Sequence, residues 1–330
     1  MSSILVPLDG SALAGQVLPH ARYLATILAA QIQLLRVVSD ADKEALLAHE
    51  DVLLARGRGP ALTRQARERR AWQQLTTHAE SYLAEQAAQL NAIGMAVAAE
   101  VRTGYPAEMI VHFAAERRSD LIVMATHGYS GVTRWLLGSV ADKVVQAAMV
   151  PVLLVRGTPP PEYRIRRLLV PLDGSPLACL ALPFAIDLAQ RVHAEIVLLQ
   201  AIPPTIGTYP YVVLPAGVRE LLHMQALHEL QEVADDLHQR GLTATPLVTG
   251  GEPAEVVVET TAQQQVDLIV MATHGYSGIK RWALGSVADK VMHAAKTPLL
   301  LIRAQTNMNA PDALEPEGEQ RHRIEISPAQ

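Results

Sequence analysis

The chain has 330 residues, 49% of them hydrophobic and 18% charged, with a net charge of −5. A chain of this length outgrows one ordinary core and suits two domains, and its mild acidity excludes a global electrostatic footprint for nucleic acid or an anionic membrane. Cys179 is the only cysteine, so no intrachain disulfide can form and a reducing compartment is the natural home.

From the N-terminus, short apolar runs alternate with longer amphipathic stretches. SILVP predicts a first strand, closed by Pro7, which cannot donate to a sheet ladder. A helix follows over 11–30, capped by Ser11 and kinked at Pro19. AQIQLLRVV is the second strand, about 60–93 a helix, MAVAAEV the third strand and 106–118 a helix. DLIVMA, a helix over 138–149 and VPVLLV complete the series. It then starts again, with RLLVP closed by Pro171 and a helix over 176–193 that carries a Ser175 cap, Pro176 at its first position and Pro183 inside. AEIVLLQAI, a helix over 217–240, TATPLV, a helix over 253–265, DLIVMA, a helix over 285–296 and TPLLLIR follow.

The repetition is also literal. ILVPLDGS at 4–11 returns as LLVPLDGS at 168–175, an offset of 164, and TGYPAE at 103–108 returns as GGEPAE at 250–255, an offset of 147. The first copy therefore carries 17 extra residues (164 minus 147), expected within 40–72. A period near 150 exceeds that of solenoid repeats, so each copy is a whole domain. Strands apolar on both faces, alternating with helices, call for parallel sheets with right-handed crossovers. The expected fold is α/β, with two tandem doubly wound domains, each a five-stranded parallel sheet of order 3-2-1-4-5 flanked by four helices. The domains span 1–156 and 164–304, joined by a stiff Pro-rich linker at 157–163. The tail over 305–330, rich in Pro and Glu, is expected to be disordered.

The longest match runs from MATHGYSGVTRWLLGSVADKVV at Met124 to MATHGYSGIKRWALGSVADKVM at Met271, with four differences in 22 residues. In each copy a strand ends in a glycine-bearing loop that opens a helix at Gly138-Ser139 or Gly285-Ser286. Glycine permits close backbone approach, and a helix N-terminus offers free N–H groups to an anion. In doubly wound sheets such a site faces the loop after the first strand, here PLDGS in both copies. Asp9 and Asp173 in that loop have two readings that can hold together. The carboxylate caps the next helix, or it accepts hydrogen bonds from a ribose or adenine edge. His127 and His274 could contact phosphate, act as a base or hydrogen-bond the backbone.

The spacing Gly128-x9-Gly138-Ser139, preceded by Ala125-x2, and its copy at Ala272, Gly275, Gly285 and Ser286, resembles the nucleotide-binding signature G-x2-G-x9-G-[S/T] of the universal stress protein family. The resemblance covers both copies and implies two adenine-nucleotide sites, with ATP favoured over ADP or AMP. It implies that Leu8, Asp9, Val37, Met124, His127, Gly128, Gly138, Ser139, Val140 and Ala141 surround one nucleotide. Leu172, Asp173, Ala201, Met271, His274, Gly275, Gly285, Ser286, Val287 and Ala288 would surround the other. The signature's first glycine is alanine here, at Ala125 and Ala272, which favours a second hypothesis: an interaction or scaffold module without nucleotide. The resemblance further implies pairing of fifth strands, here as an intramolecular pseudo-dimer, with further homodimers as an extension.

Other signals are set aside. There is no GxxxxGK[ST] and no GxGxxG after the first strand, and no catalytic constellation accompanies the histidines. The expected protein is thus not an enzyme, or at most a slow ATPase. His223, His228 and His238 scatter around a helix at about 100° per residue, so no metal site is expected. Arg134, Lys280 and Arg281 are read as solvated surface charge, as is the arginine-rich segment 56–70, for which nucleic acid or an acidic partner is the lesser alternative. No apolar run reaches the ~18 residues of a membrane span, and the opening MSSILVPLDG lacks a leader pattern, so a cytoplasmic location without membrane contact is expected.

Overall fold

The structure, a computed structural model, describes residues 2–55, 63–126, 138–157, 163–204, 215–273 and 284–303. The first series of elements is β1 (Ser3–Pro7), α1 (Ala12–Gly15), α2 (Leu18–Leu28), β2 (Gln31–Val38), α3 (Asp40–Ala55), α4 (Arg64–Ala92), β3 (Val97–Thr103), α5 (Pro106–Glu116), β4 (Leu121–Ala125), α6 (Ser139–Ala147) and β5 (Val152–Val155). The second is β6 (Arg167–Leu172), a 3-10 turn over Ala178–Ala181, α7 (Leu182–Val192), β7 (Glu195–Ile202), α8 (Ala216–Gln239), β8 (Ala244–Gly250), α9 (Pro253–Gln263), β9 (Leu268–Ala272), α10 (Ser286–Ala294) and β10 (Leu299–Ile302). The chain forms two compact α/β units, the first built up to Ile165 together with Asp289–Leu301, the second from Arg166 onward without that stretch.

In the first unit the parallel strands run β3-β2-β1-β4-β5. Residues 3–6 of β1, 121–124 of β4 and all four of β5 are buried, as parallel strands covered on both faces require. Leu5, Ile32, Leu34, Leu35, Ile122 and Leu153 are among the fully buried side chains. The β3 strand has exposed residues in its first half, as an edge strand should. On the opposite side β10 runs antiparallel to β5, pairing Leu299 with Leu154 and Leu301 with Val152, so the apolar edge is covered. In the second unit the parallel order is β8-β7-β6-β9, with Leu168, Leu169 and Ile196 fully buried.

Three local expectations change. The first helix of each repeat is not one kinked rod. It breaks, and Pro19 and Pro183 lie in the opening turn of a new helix, α2 and α7; a proline's missing N–H costs nothing there. The enlarged part of the first repeat contains a helix of its own, α3, opened by a reciprocal cap in which Ser39 N–H donates to Asp42 Oδ2 at 2.8 Å and Asp42 N–H to Ser39 Oγ at 3.3 Å. Arg67 on α4 ion-pairs with Glu50 and Asp51 of α3, so one member of the arginine-rich segment has a structural partner; residues 56–62 lie outside the described residues. Finally, β6 continues through Pro171 to Leu172, and Leu8 N–H bonds Leu35 O at 2.8 Å beyond Pro7. Pro7 is the last residue of β1 as expected, whereas Pro171 does not end β6, because a proline's own missing donor does not affect the next residue.

On α2, His20 is 2% exposed, its ring 4.3 Å from that of Tyr163, which meets Tyr23 edge-on at 5.3 Å. The Tyr23 hydroxyl accepts from Ile165 N–H at 3.0 Å. Burial lowers the His20 pKa to about 4, with the Gln16 backbone pulling weakly the other way; Nδ1 has no hydrogen-bond partner of good geometry among the described residues. An imidazole depressed in the folded state binds its proton preferentially when unfolded, so its contribution is intact above about pH 6.5 and declines as pH falls toward 4. Across that window His20→Gln should flatten the fall in stability by on the order of 3 kcal/mol. Urea unfolding of both proteins at pH 7.5 and pH 4.5 checks this, and parallel losses in the two would refute it.

Candidate nucleotide site

Both sites start from the pairing of the first and fourth strands of a unit. In the first unit Leu5 lies opposite Ile122, and carrying the register two residues on brings Pro7 level with Met124. The loop after β1 and the exit from β4 therefore leave the sheet side by side. Strand β2 lies on the other side of β1, Pro7 opposite Leu35, so the chain order reverses at β1 and leaves a crevice at the carboxyl ends.

The PLDGS loop is a built turn. Gly10 takes φ +81°, a backbone that L side chains rarely adopt. Asp9 Oδ1 accepts from Ser11 N–H at 2.9 Å and from Ser11 Oγ–H at 2.6 Å, and Ser11 Oγ accepts from Ala14 N–H at 3.0 Å. Of the two readings of the aspartate, the local one is thus realised indirectly: the serine caps the helix and the carboxylate orients the serine. The second unit repeats the turn. Gly174 has φ +77°, Ser175 N–H donates to Asp173 Oδ1 at 3.0 Å, and Ala178 N–H donates to Ser175 Oγ at 3.1 Å.

At the other wall Thr126 N–H bonds Val155 O at 3.2 Å and Gly138 N–H returns to Thr126 O at 2.7 Å. That second bond plants the start of α6 at the end of β4. Gly138 is the N-cap and supplies no side-chain cap, so the amides of Ser139, Val140 and Ala141 are the orphan donors of the first turn. Gly285 N–H bonds Thr273 O at 2.8 Å and begins α10 in the same way.

The predicted residues distribute as follows. Leu8, Val37 and Met124 are buried at the ends of their strands, Asp9 is half-buried, and Gly138, Ser139, Val140 and Ala141 open α6. The Leu8 amide is committed to Leu35, so the backbone group it has to offer is its carbonyl. Leu172 and Met271 are buried, Ala201 is half-buried, Asp173 is exposed, and Gly285, Ser286, Val287 and Ala288 open α10. His127, Gly128, His274 and Gly275 lie outside the described residues.

The sequence profile of the Universal stress protein family matches residues 1–156 and again 164–303. The chain belongs to the universal stress protein family. Universal stress protein Rv2005c of Mycobacterium tuberculosis is 28% identical over 215 residues, 63% of this chain and 70% of the relative. Universal stress protein MJ0531 of Methanocaldococcus jannaschii is 31% identical over 147 residues, 43% of this chain and 84% of the relative. A solved universal stress protein from Archaeoglobus fulgidus shares the fold, with a TM-score of 0.68 at 18% identity over 91% of this chain and 98% of the other.

Sequence reasoning missed the side chains lining the rim of this universal stress protein beside its PLDGS loops. In the first unit Tyr82 on α4 has its pKa raised, first by burial, then by the Asp9 charge and against the pull of Arg36. Arg36, the residue before Val37, pairs with Asp42 at 3.7 Å. In the second unit, a Cβ built on Gly174 would meet Glu229 Oε2 at 3.7 Å and Gln200 Nε2 at 4.0 Å. The two repeat offsets, applied to side chains beyond the glycine signature, align Arg36 with Gln200 and Tyr82 with Glu229.

Removing either capping hydroxyl tests the built turns. Ser11→Ala and Ser175→Ala should each cost about 1 kcal/mol, more at Ser175, which is 4% exposed, while Asp9→Asn keeps the acceptor and changes little. Guanidinium unfolding midpoints report the difference, and an unchanged Ser175→Ala midpoint would contradict the caps.

Proposed function

We propose that the chain is a stress-response regulator that binds adenine nucleotide, ATP ahead of ADP or AMP, at one site per repeat. The observation that carries this reading is the meeting of the PLDGS turn with the side-chain-free N-terminus of α6 across the β1/β4 crevice. Orphan amides and the helix dipole favour an anion. In this reading Ser139, Val140 and Ala141 hold phosphate through their amides, Asp9 accepts from the ribose or base, and Leu8, Val37 and Met124 form the apolar wall. The second site would use Ser286, Val287, Ala288, Asp173, Leu172, Ala201 and Met271, with His127, Gly128, His274 and Gly275 contributed by the glycine loops.

The reading is of a binding protein, with ATP hydrolysis slow at most. Among the described residues no cluster of His, Cys, Asp or Glu could hold a metal ion, and no helix is long and apolar enough to cross a membrane. We place the protein in the cytoplasm on the strength of its single, half-buried cysteine and its reducing-compartment composition. The antiparallel pairing of β10 with β5 supports the proposal that the fifth strands of the two repeats form an intramolecular pseudo-dimer, and further homodimers would extend it.

Thermal unfolding with ATP, ADP and AMP tests the binding. At a hundredfold excess over Kd a site adds about 2.7 kcal/mol, and at about 2–4 °C per kcal/mol for domains of this size the melting temperature should rise by roughly 5–10 °C. Asp9→Ala and Asp173→Ala should each reduce the shift, with Asp9→Asn separating ligand contact from turn structure. No shift at millimolar ATP would instead favour an interaction module that has lost its ligand.

A further inference from the structure

We propose that Glu229, with Gln200 beside it, reads a ribose hydroxyl in the second site, so that the second repeat separates a ribonucleotide from its deoxy analogue more sharply than the first. The proposal rests on the nucleotide reading above and adds to it the residues that set sugar selectivity.

Two side chains from separate elements converge on the second PLDGS turn. A Cβ built on Gly174 would meet Glu229 Oε2 at 3.7 Å and Gln200 Nε2 at 4.0 Å. Gln200 comes from near the end of β7, level with Leu172, and Glu229 from α8. Both are half-buried. The Gln225 Nε2 donates to Glu229 Oε1 at 2.9 Å, which steadies the carboxylate, while Oε2 and the Gln200 amide make no hydrogen bond among the described residues. An acceptor next to a donor is the pair that satisfies a hydroxyl, which donates and accepts at once. A carboxylate near the end of the second strand of a doubly wound sheet is also the usual reader of a ribose hydroxyl. This is the wall that the nucleotide reading gives to ribose and base, apart from the α10 amides given to phosphate.

The first site lacks this pair. Helices α4 and α8 are equivalent, since their buried residues Ala79, Leu83 and Leu90 correspond, at the offset of 147, to Ala226, Leu230 and Leu237. At that offset Tyr82 stands where α8 has Glu229, and at the offset of 164 Arg36 stands where β7 has Gln200. Arg36 is engaged by Asp42 at 3.7 Å. Burial first, then the Asp9 charge, with Glu85 adding and Arg36 opposing, raises the Tyr82 pKa, so Tyr82 stays a neutral phenol and a weaker acceptor than a carboxylate. A Cβ on Gly10 would meet nothing within 4 Å, so neither side chain closes on the first turn as Glu229 and Gln200 close on the second. Asp9 and Asp173 stand at equivalent places in the two turns, and whatever they contribute to the sugar is common to both sites. Glu229 belongs to one.

Calorimetric titration of the full chain with ATP, 2′-deoxy-ATP and 3′-deoxy-ATP tests this. In the wild type one binding event should lose at least about tenfold more affinity than the other when the hydroxyl in question is removed, as the loss of a hydrogen bond to a charged group requires. The near-isosteric Glu229→Gln should weaken ATP at that event and bring the two events to within about threefold of each other in their preference for ATP over the deoxy analogue. Melting without nucleotide verifies that the variant is folded. Equal preference at the two events of the wild type, which needs no variant, would overturn the inference while leaving nucleotide binding intact. So would a preference that survives Glu229→Gln in a folded protein, whether one event per chain is seen or two. No binding of any of the three nucleotides by either protein would overturn both readings.

Discussion

The parallel pairing of β1 with β4, repeated as β6 with β9, is the constraint on which the candidate sites depend. It is a short ladder of fully buried residues, and neither face can slip without turning apolar side chains toward water. Because that ladder is fixed, the PLDGS turn and the first turn of the following helix must emerge together at one end of the sheet. Two small polar devices then finish each crevice. A glycine with positive φ and an aspartate-held serine shape one wall, and a single backbone bond from Gly138 to Thr126, or from Gly285 to Thr273, plants the helix at the other. Duplication copied this arrangement whole, since every part of it is encoded within a few residues of a strand end.

Duplication did not preserve what lies around it. The first repeat carries α3, whose first turn brings Asp42 to Arg36 near the end of β2. Insertion and rim thus belong together: the added helix supplies the anion that accompanies the only described cation at either rim. In the second repeat the corresponding strand position is an amide, and the long helix turns a carboxylate toward the glycine turn. Chain fusion makes such divergence possible, because two copies encoded together need not remain identical as two subunits of a homodimer must.

Most of the architecture could be read from the sequence, and the reasons are physical. LIVMA and ILVP are apolar on both faces, a pattern that a buried parallel strand demands and a surface segment would not tolerate. The two offsets made the duplication plain. Proline chemistry was less legible, because a proline in the second position of a helix and one inside a helix differ only in where the preceding turn stops. The α3 helix was hidden for a different reason. It lies in the stretch that has no counterpart at either repeat offset, and its clearest signal, the Ser39–Asp42 capping pair, is local. The half of each site made by backbone was legible in the glycine spacing. The half made by Arg36, Tyr82, Gln200 and Glu229 was not, because those side chains reach the rim from elements distant in sequence and follow no period.

The account's central claim is that orphan amides at the start of α6, facing a held aspartate, form a phosphate-binding crevice. A crystal structure of the chain grown with ATP tests it most directly. The account predicts a nucleotide at the carboxyl ends of β1 and β4, its phosphates within hydrogen-bonding distance of the amides of Ser139, Val140 and Ala141. A nucleotide bound elsewhere on the molecule, or a well-ordered first unit with that crevice filled by the protein's own side chains, would contradict it.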